Sequence, residues 1–183
     1  MEPPLKHNWD LTGPGRGQVG AWPRLSVRIL DTRKTTPLWR ELEKAAVKAG
    51  GGHNHRMGLY DAIFVKENHR RFGDLRKLSP SFILPRKRGK KEVGVEIEVR
   101  NVREMMEALM LQPKVILFDN FSPRSLKEAV KIARRCNLKI ILEASGGVTL
   151  QNVAAYARAG VDQISIGSLT HSVKAIDLSL LIK

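Results

Sequence analysis

Residues 115–143, VILFDNFSPRSLKEAVKIARRCNLKIILE, decide the fold. Val115-Ile116-Leu117-Phe118 is a short apolar run that stops at Asp119. A helix is expected from about Pro123 to Cys136, with Ser122 placed to cap it. Lys139-Ile140-Ile141-Leu142 is a second apolar run, stopping at Glu143. Two short strands with a helix between them lie parallel, because a parallel pair needs a crossover connection. Apolar runs without polar alternation fit strands covered on both faces.

The same unit repeats in both directions. Upstream, Val27 to Leu30 reads as a strand ending in Asp31, and a helix is expected from Pro37 to Ala49, stopped by Gly50-Gly51-Gly52. Ala62 to Val65 is a strand ending at Lys66, and Val93 to Val99 is one that holds Glu96 and Glu98. A helix follows over Val102 to Leu111. Downstream, a helix is expected over Leu150 to Ala159, then a strand from Gln163 to Ile166 ending at Gly167, then a helix over Val173 to Ile182. Six strands are legible. They fit a doubly wound sheet or a β/α barrel. Polar strand ends favour the barrel: Asp31, Lys66, Glu98, Asp119, Glu143 and the Gly167-Ser168 turn all fall where a barrel builds its site. A doubly wound sheet gathers its chemistry at one switch point instead. The expected fold is α/β, a parallel β/α barrel that is open or incomplete, over residues 27–183. Residues 1–26, rich in Pro and Gly, read as an irregular leader.

The chain has 183 residues, with 32 Lys and Arg against 18 Asp and Glu, a net charge of +14. One cysteine, Cys136, excludes an intrachain disulfide scaffold and suits a reducing, cytoplasmic setting. Cys136 is expected to be buried and inert in its helix. No apolar run approaches the roughly 20 residues of a membrane-spanning helix, so no membrane partner is expected. Nine basic residues fall between Arg70 and Lys91 with Asp74 as the only acid. Pro80, Pro85 and Gly89 interrupt them, and the aromatic interleaving of a nucleic-acid surface is missing. A solvated, irregular loop is the preferred reading over nucleic-acid binding.

Three clusters could carry chemistry. Asp31-Thr32-Arg33-Lys34-Thr35-Thr36-Pro37 puts two cations just past a strand; a capping turn explains the threonine and proline but not the basic pair. Gly50-Gly51-Gly52-His53-Asn54-His55-Arg56 allows close backbone approach and adds donors for an anion. Ala144-Ser145-Gly146-Gly147 and Gly167-Ser168 are consecutive late turns of the kind that hold phosphate in β/α barrels. Lys66, Glu98, Asp119 and Glu143 complete a mixed-charge ring in which carboxylates suit Mg²⁺ or a ribose hydroxyl and cations suit carboxylate or phosphate. The residues alone point to a multiply anionic ligand and leave the reaction open.

The strings DTRKTT (31–36), NHR (54–56), AIFVKENH (62–69), EIEV (96–99), DNF (119–121), LEASGG (142–147) and ISIGSLTH (164–171) closely resemble the quinolinate phosphoribosyltransferase family, in its order. The resemblance implies nicotinate-nucleotide diphosphorylase (carboxylating) activity, a pentosyltransferase reaction of NAD biosynthesis. Quinolinate and phosphoribosyl pyrophosphate give nicotinate mononucleotide, CO₂ and pyrophosphate, with Mg²⁺ as cofactor. It assigns Arg33, His55, Arg56 and Lys66 to the quinolinate carboxylates, and Lys34 to both substrates. Glu98 and Asp119 take the ribose and Mg²⁺, Glu143 supports them, and Ser145, Gly146, Gly147, Gly167 and His171 take the 5′-phosphate. Lys34, Glu98 and Asp119 are the implied catalytic residues. A homo-oligomer is the implied assembly.

The chain departs from that pattern in two places. The family's N-terminal α/β sandwich domain and its arginine-bearing motif are not found, so no partner-crossing arginine is carried over. The basic stretch from Arg70 to Lys91 stands where the family has an alanine-rich helix. The enzyme is therefore expected, with turnover by this short chain alone not expected. The alternative is a truncated, catalytically weak or inactive homologue that keeps anionic ligand binding.

Overall fold

The computed structural model describes residues 27–71, 86–88, 91–136, 138–173, 177 and 179–182. In chain order the elements are β1 (Arg28–Leu30), α1 (Arg40–Ala49), β2 (Ile63–Val65), α2 (Glu67–Arg71), β3 (Arg86–Arg88), β4 (Lys91–Val93) and β5 (Val95–Val99). They continue as α3 (Val102–Leu109), β6 (Val115–Asp119), α4 (Pro123–Cys136), β7 (Ile141–Ser145), α5 (Val153–Arg158), β8 (Gln163–Ser165) and α6 (Ser168–His171).

Six strands form one parallel sheet in the order β1-β8-β7-β6-β5-β2, so the first strand lies beside the last. That is the order of a barrel, and it excludes the doubly wound alternative. A seventh position comes from His53, which forms a parallel bridge with Leu30 on the free side of β1. The remaining gap lies between this segment and β2. There the guanidinium of Arg56 donates to the Ala62 carbonyl at 3.0 Å, so a side chain spans the seam.

The period of two sorts the strands. Register matches Glu98 to Leu117, Leu117 to Glu143 and Glu143 to Gln163, all on one face. That face carries Phe64, Glu96, Glu98, Asp119, Glu143 and Ser165. The opposite face carries Ile97, Val99, Ile116, Phe118, Leu142, Ala144 and Ile164, fully buried or nearly so. They pack with Met105 and Ala108 of α3, Leu126, Ala129 and Ala133 of α4, and Val153 and Ala157 of α5. The apolar core thus lies between sheet and helices, and the inner face is free to be polar.

Caps begin two helices where the sequence places them. Asn101 accepts from the Glu104 amide at 2.9 Å, and Ser122 accepts from the Ser125 amide at 3.2 Å. Several expectations change. α1 begins at Arg40 rather than Pro37, because Leu38 takes a positive φ of 68° and interrupts the turn. The strand expected from Val93 is divided at Gly94: Lys91–Val93 pairs antiparallel with Arg86–Arg88, and the parallel strand starts at Val95. Part of the basic run read as an irregular loop is therefore a two-stranded ribbon; residues 72–85, 89 and 90 lie outside the described residues, as does the leader 1–26. β7 runs Ile141–Ser145 rather than 139–142, which places Glu143 mid-strand and fully buried. No helix covers the described residues among 173–182; the helical turn comes earlier, at Ser168–His171. Cys136 is exposed, not buried: it is the last residue of α4, where the helix runs out past its buried residues.

Candidate active site at the barrel mouth

Every segment singled out for chemistry reaches the same end of the sheet. Arg33 and Lys34 follow β1, and His55 and Arg56 follow the His53 bridge. Lys66 follows β2, Glu98 and Asp119 close β5 and β6, Ser145 to Gly147 follow β7, and Gly167 and His171 follow β8. Arg40 ties two of these loops together: it donates to Thr35 Oγ1 at 3.1 Å, to the Arg33 carbonyl at 3.3 Å and to the Met57 carbonyl at 3.3 Å. Thr170 Oγ1 donates to the Lys34 carbonyl at 2.6 Å and joins the first loop to the last.

Beneath the mouth lies a buried polar layer. Asp31 pairs with Lys44, both with almost no exposure, and accepts from the His55 amide at 2.9 Å. Lys44 also donates to the His55 carbonyl at 3.1 Å. His55 Nε2 lies 3.4 Å from Glu96 and 3.4 Å from Glu143. Its Nδ1 lies 2.8 Å from the Arg56 amide nitrogen, and its Nε2–H stands between the carboxylates. Burial alone would weaken the ring's hold on protons. Hydrogen bonds and charge from Glu143 and Glu96 outweigh it, and His55 is pushed up to about 10. A second ring proton must displace the Arg56 amide. Glu143 is saturated: Gln163 donates to it at 2.5 Å, and Ser165 donates to its other oxygen. Glu96 Oε1 has no partner, and burial, against the pull of His55, raises this carboxyl.

Above that layer the charges are spaced more widely. Lys66 Nζ lies 3.9 Å from Glu98, and Arg100 Nε lies 3.7 Å from Asp119. Burial raises Glu98, opposed by Lys66 and reinforced by Asp119. Arg56 and Lys66 both stand over the Phe64 ring, at 4.9 and 5.1 Å from its centroid. Burial and then the charge of Arg33 lower Arg56, so two guanidinium groups share this space. Arg33 Nε is buried without a partner. Among the described residues, the unpartnered buried side-chain atoms belong to Asp31, Arg33 and Glu96, all in this region. Such atoms are costly unless a ligand or water completes them.

Two glycines meet close neighbours here, and the first is demanded by space. A Cβ at Gly146, where φ is +89°, would run into the Asn120 carboxamide and come within 2.9 Å of its backbone nitrogen. A Cβ at Gly167 would meet His171 Nε2 at 2.7 Å, with Lys34 close behind. The bare backbone at Gly167 thus lets His171 and Lys34 close on this turn.

For a metal, Glu98 and Asp119 are the suitable donors. Both are oxygen ligands at the mouth, and their cation partners stand beyond hydrogen-bond distance. The tighter cluster of His55, Glu96 and Glu143, with ligand atoms within 4.8 Å of one another, fits a shared proton better than Mg²⁺. Its nitrogen is protonated, and Glu143 is already occupied by neutral donors. Sequence reasoning missed Lys44, Glu96, Gln163, Arg40 and Arg100. The alternation Glu96-Ile97-Glu98 was the available signal for Glu96.

An open parallel β/α barrel with a cationic, glycine-lined mouth belongs to a class of folds that frequently carries a phosphate site at this end. The sequence profile of "quinolinate phosphoribosyl transferase, C-terminal domain" matches residues 18–181. The chain belongs to this family. It is 42% identical over 154 residues to a probable nicotinate-nucleotide pyrophosphorylase [carboxylating] of Bacillus subtilis, covering 84% of this chain and 52% of that protein. A protein of the same description from Methanocaldococcus jannaschii is 41% identical over 163 residues, covering 85% and 55%. The solved structure of the nicotinate-nucleotide pyrophosphorylase from Francisella tularensis superposes with a TM-score of 0.69 at 39% identity, covering 85% of this chain and 53% of that one. The chain therefore spans about half the length of the curated relatives it matches. No helix among the described residues is long and apolar enough to cross a membrane.

Proposed function

We propose that this chain is the substrate-holding barrel of a nicotinate-nucleotide pyrophosphorylase (carboxylating). It takes quinolinate and phosphoribosyl pyrophosphate to nicotinate mononucleotide, CO₂ and pyrophosphate. The observation that carries this reading is the convergence of Arg56 and Lys66 on the Phe64 ring, with Arg33 close enough to Arg56 to lower it and its own Nε buried and unpartnered. A flat aromatic dicarboxylate suits that space: cations for two carboxylates, an aromatic ring for its plane.

The chemistry is positional and electrostatic. Arg33, Arg56 and Lys66 orient the pyridine so that its nitrogen faces the anomeric carbon. Lys34 stands over Gly167, near Glu98, where it reaches both ligands. Glu98 and Asp119 favour positive charge developing on the ribose as pyrophosphate leaves. These two carboxylates would also hold Mg²⁺, which would supply charge compensation for the pyrophosphate when bound. Ser145, Gly146, Gly147, Gly167 and His171 cradle the 5′-phosphate. Once the ring nitrogen is cationic, loss of the neighbouring carboxylate is eased. A homo-oligomer is consistent with Leu38, Trp39 and Leu42, large apolar side chains that stand exposed together. A cytoplasmic setting suits the free, exposed Cys136.

Differential scanning fluorimetry tests the binding claim. Millimolar quinolinate or its analogue phthalate should raise the melting temperature, and Arg33→Ala should abolish the rise. No rise in the unmutated chain sinks the reading. A second reading is retained anionic-ligand binding without turnover. Chromatography for nicotinate mononucleotide separates the two.

A further inference from the structure

Arg100 has no part in the site as read from the sequence, yet it stands inside it. We infer that Arg100 binds the diphosphate group of the phosphoribosyl donor, and that Asp119 and Glu67 hold it in reserve until that group arrives. The inference rests on the proposed function above.

Arg100 directly follows β5 and has the same parity as Glu96 and Glu98, so its side chain leaves the strand end toward the mouth. Its backbone is fixed. The Arg100 amide donates to Glu104 at 2.8 Å, while Asn101 caps α3 through the Glu104 amide. A pinned base leaves only side-chain torsions to move, which lowers the cost of presenting the guanidinium. The fork now bridges two acids from different elements: Nη1 pairs with Glu67 of α2 and Nε stands 3.7 Å from Asp119 of β6. The second contact is too long for a hydrogen bond. Arg100 remains 47% exposed, and Asp119 already accepts from Asn120 Nδ2 at 3.0 Å. The guanidinium is therefore only loosely held on the side that faces the mouth.

A diphosphate offers what these carboxylates offer, two oxygens for a planar fork, with more charge. The exchange replaces one anion by another, so no charge is left uncompensated. If Asp119 turns to a divalent cation, Arg100 loses a partner as the diphosphate gains one. Arg103 makes a useful contrast: it lies on the outer face of α3, pairs with Glu107 and is almost wholly exposed.

Isothermal titration of inorganic pyrophosphate, with MgCl₂ present, into the 183-residue chain tests this. Arg100→Ala should weaken binding on the order of tenfold or more, the cost of one charge-assisted contact. Arg103→Ala, which removes the same charge at a distance, should leave it unchanged. Glu67→Gln should tighten binding, because the competing anion is gone; a purely structural role for Arg100 predicts no such gain. Arg100→Lys, which keeps the charge but loses the fork, should bind in between and guards against misfolding of the alanine variant. Equal binding by Arg100→Ala and the unmutated chain overturns the inference alone. Equal losses in Arg100→Ala and Arg103→Ala also overturn it, since a general field then explains the effect. No pyrophosphate binding by the unmutated chain overturns both this inference and the function it rests on.

Discussion

The two ends of the parallel sheet treat charge differently. At the end where strands begin, Arg134 donates to the Ile140 carbonyl at 2.6 Å and to Asp162 at 2.5 Å, and Asp162 also accepts from the Leu142 amide at 2.7 Å. These three contacts are short, and together they hold the start of β7. At the end where strands finish, Lys66–Glu98 and Arg100–Asp119 stand 3.9 and 3.7 Å apart, and Arg33 and Asp31 each keep a buried atom without a partner. One end spends its charges on the fold. The other leaves them incompletely paired, which costs stability and leaves room for a ligand.

The largest effect should fall on the link between the two regimes. Lys44→Ala strands Asp31 in the interior, and such a loss costs about 3–5 kcal/mol; chemical denaturation should show it, and a loss below about 1 kcal/mol would mean that the pair is dispensable. Next comes a pH dependence. His55 binds its proton more tightly folded, at about 10, than at its ordinary 6.5. Stability from this group is complete below about pH 6.5 and is lost as pH rises through about 10. Denaturation midpoints of the parent and of His55→Gln should therefore converge toward alkaline pH; a constant difference refutes the assignment. At the strand-beginning end, Asp162→Ala should cost about 1–3 kcal/mol, because a buried amide and a guanidinium lose their acceptor. The quinolinate-induced rise in melting temperature should survive it. The smallest stability change belongs to Lys66→Ala at the mouth, within about 0.5 kcal/mol. That variant should lose the ligand response. If Lys66→Ala destabilised more than Asp162→Ala, the contrast between the ends would fail.

Much of this architecture was legible. Apolar runs and their polar ends, Asp119 among them, located the strands and the end of the sheet that gathers charge; the inner faces follow only from the register. Depth was harder. Glu143 reads as a strand end when the strand is started at Lys139; the ladder starts two residues later, which preserves its face but sinks it into the interior. Lys44 sits in a helix rich in charge, RELEKAAVKA, where a solvated face is the natural reading. It is buried because Asp31, far away in sequence, meets it. Arg100 had no motif to mark it, because its meaning comes from Glu67 and Asp119 on other elements. The final helix failed for a related reason: Leu180, Leu181 and Ile182 are apolar but stand exposed, with no described neighbour to fold against.

The fit between Gly146 and Asn120 has a consequence for inheritance. The space that any side chain at 146 needs is filled by the Asn120 carboxamide and by its backbone nitrogen, and the backbone at 146 is left-handed. Shortening the residue at 120 clears the carboxamide but not the nitrogen, which belongs to a chain hydrogen-bonded to the Ser145 carbonyl at 2.9 Å. No single substitution, and no pair limited to these side chains, opens a tolerated path away from glycine. A lineage that keeps this turn keeps that residue.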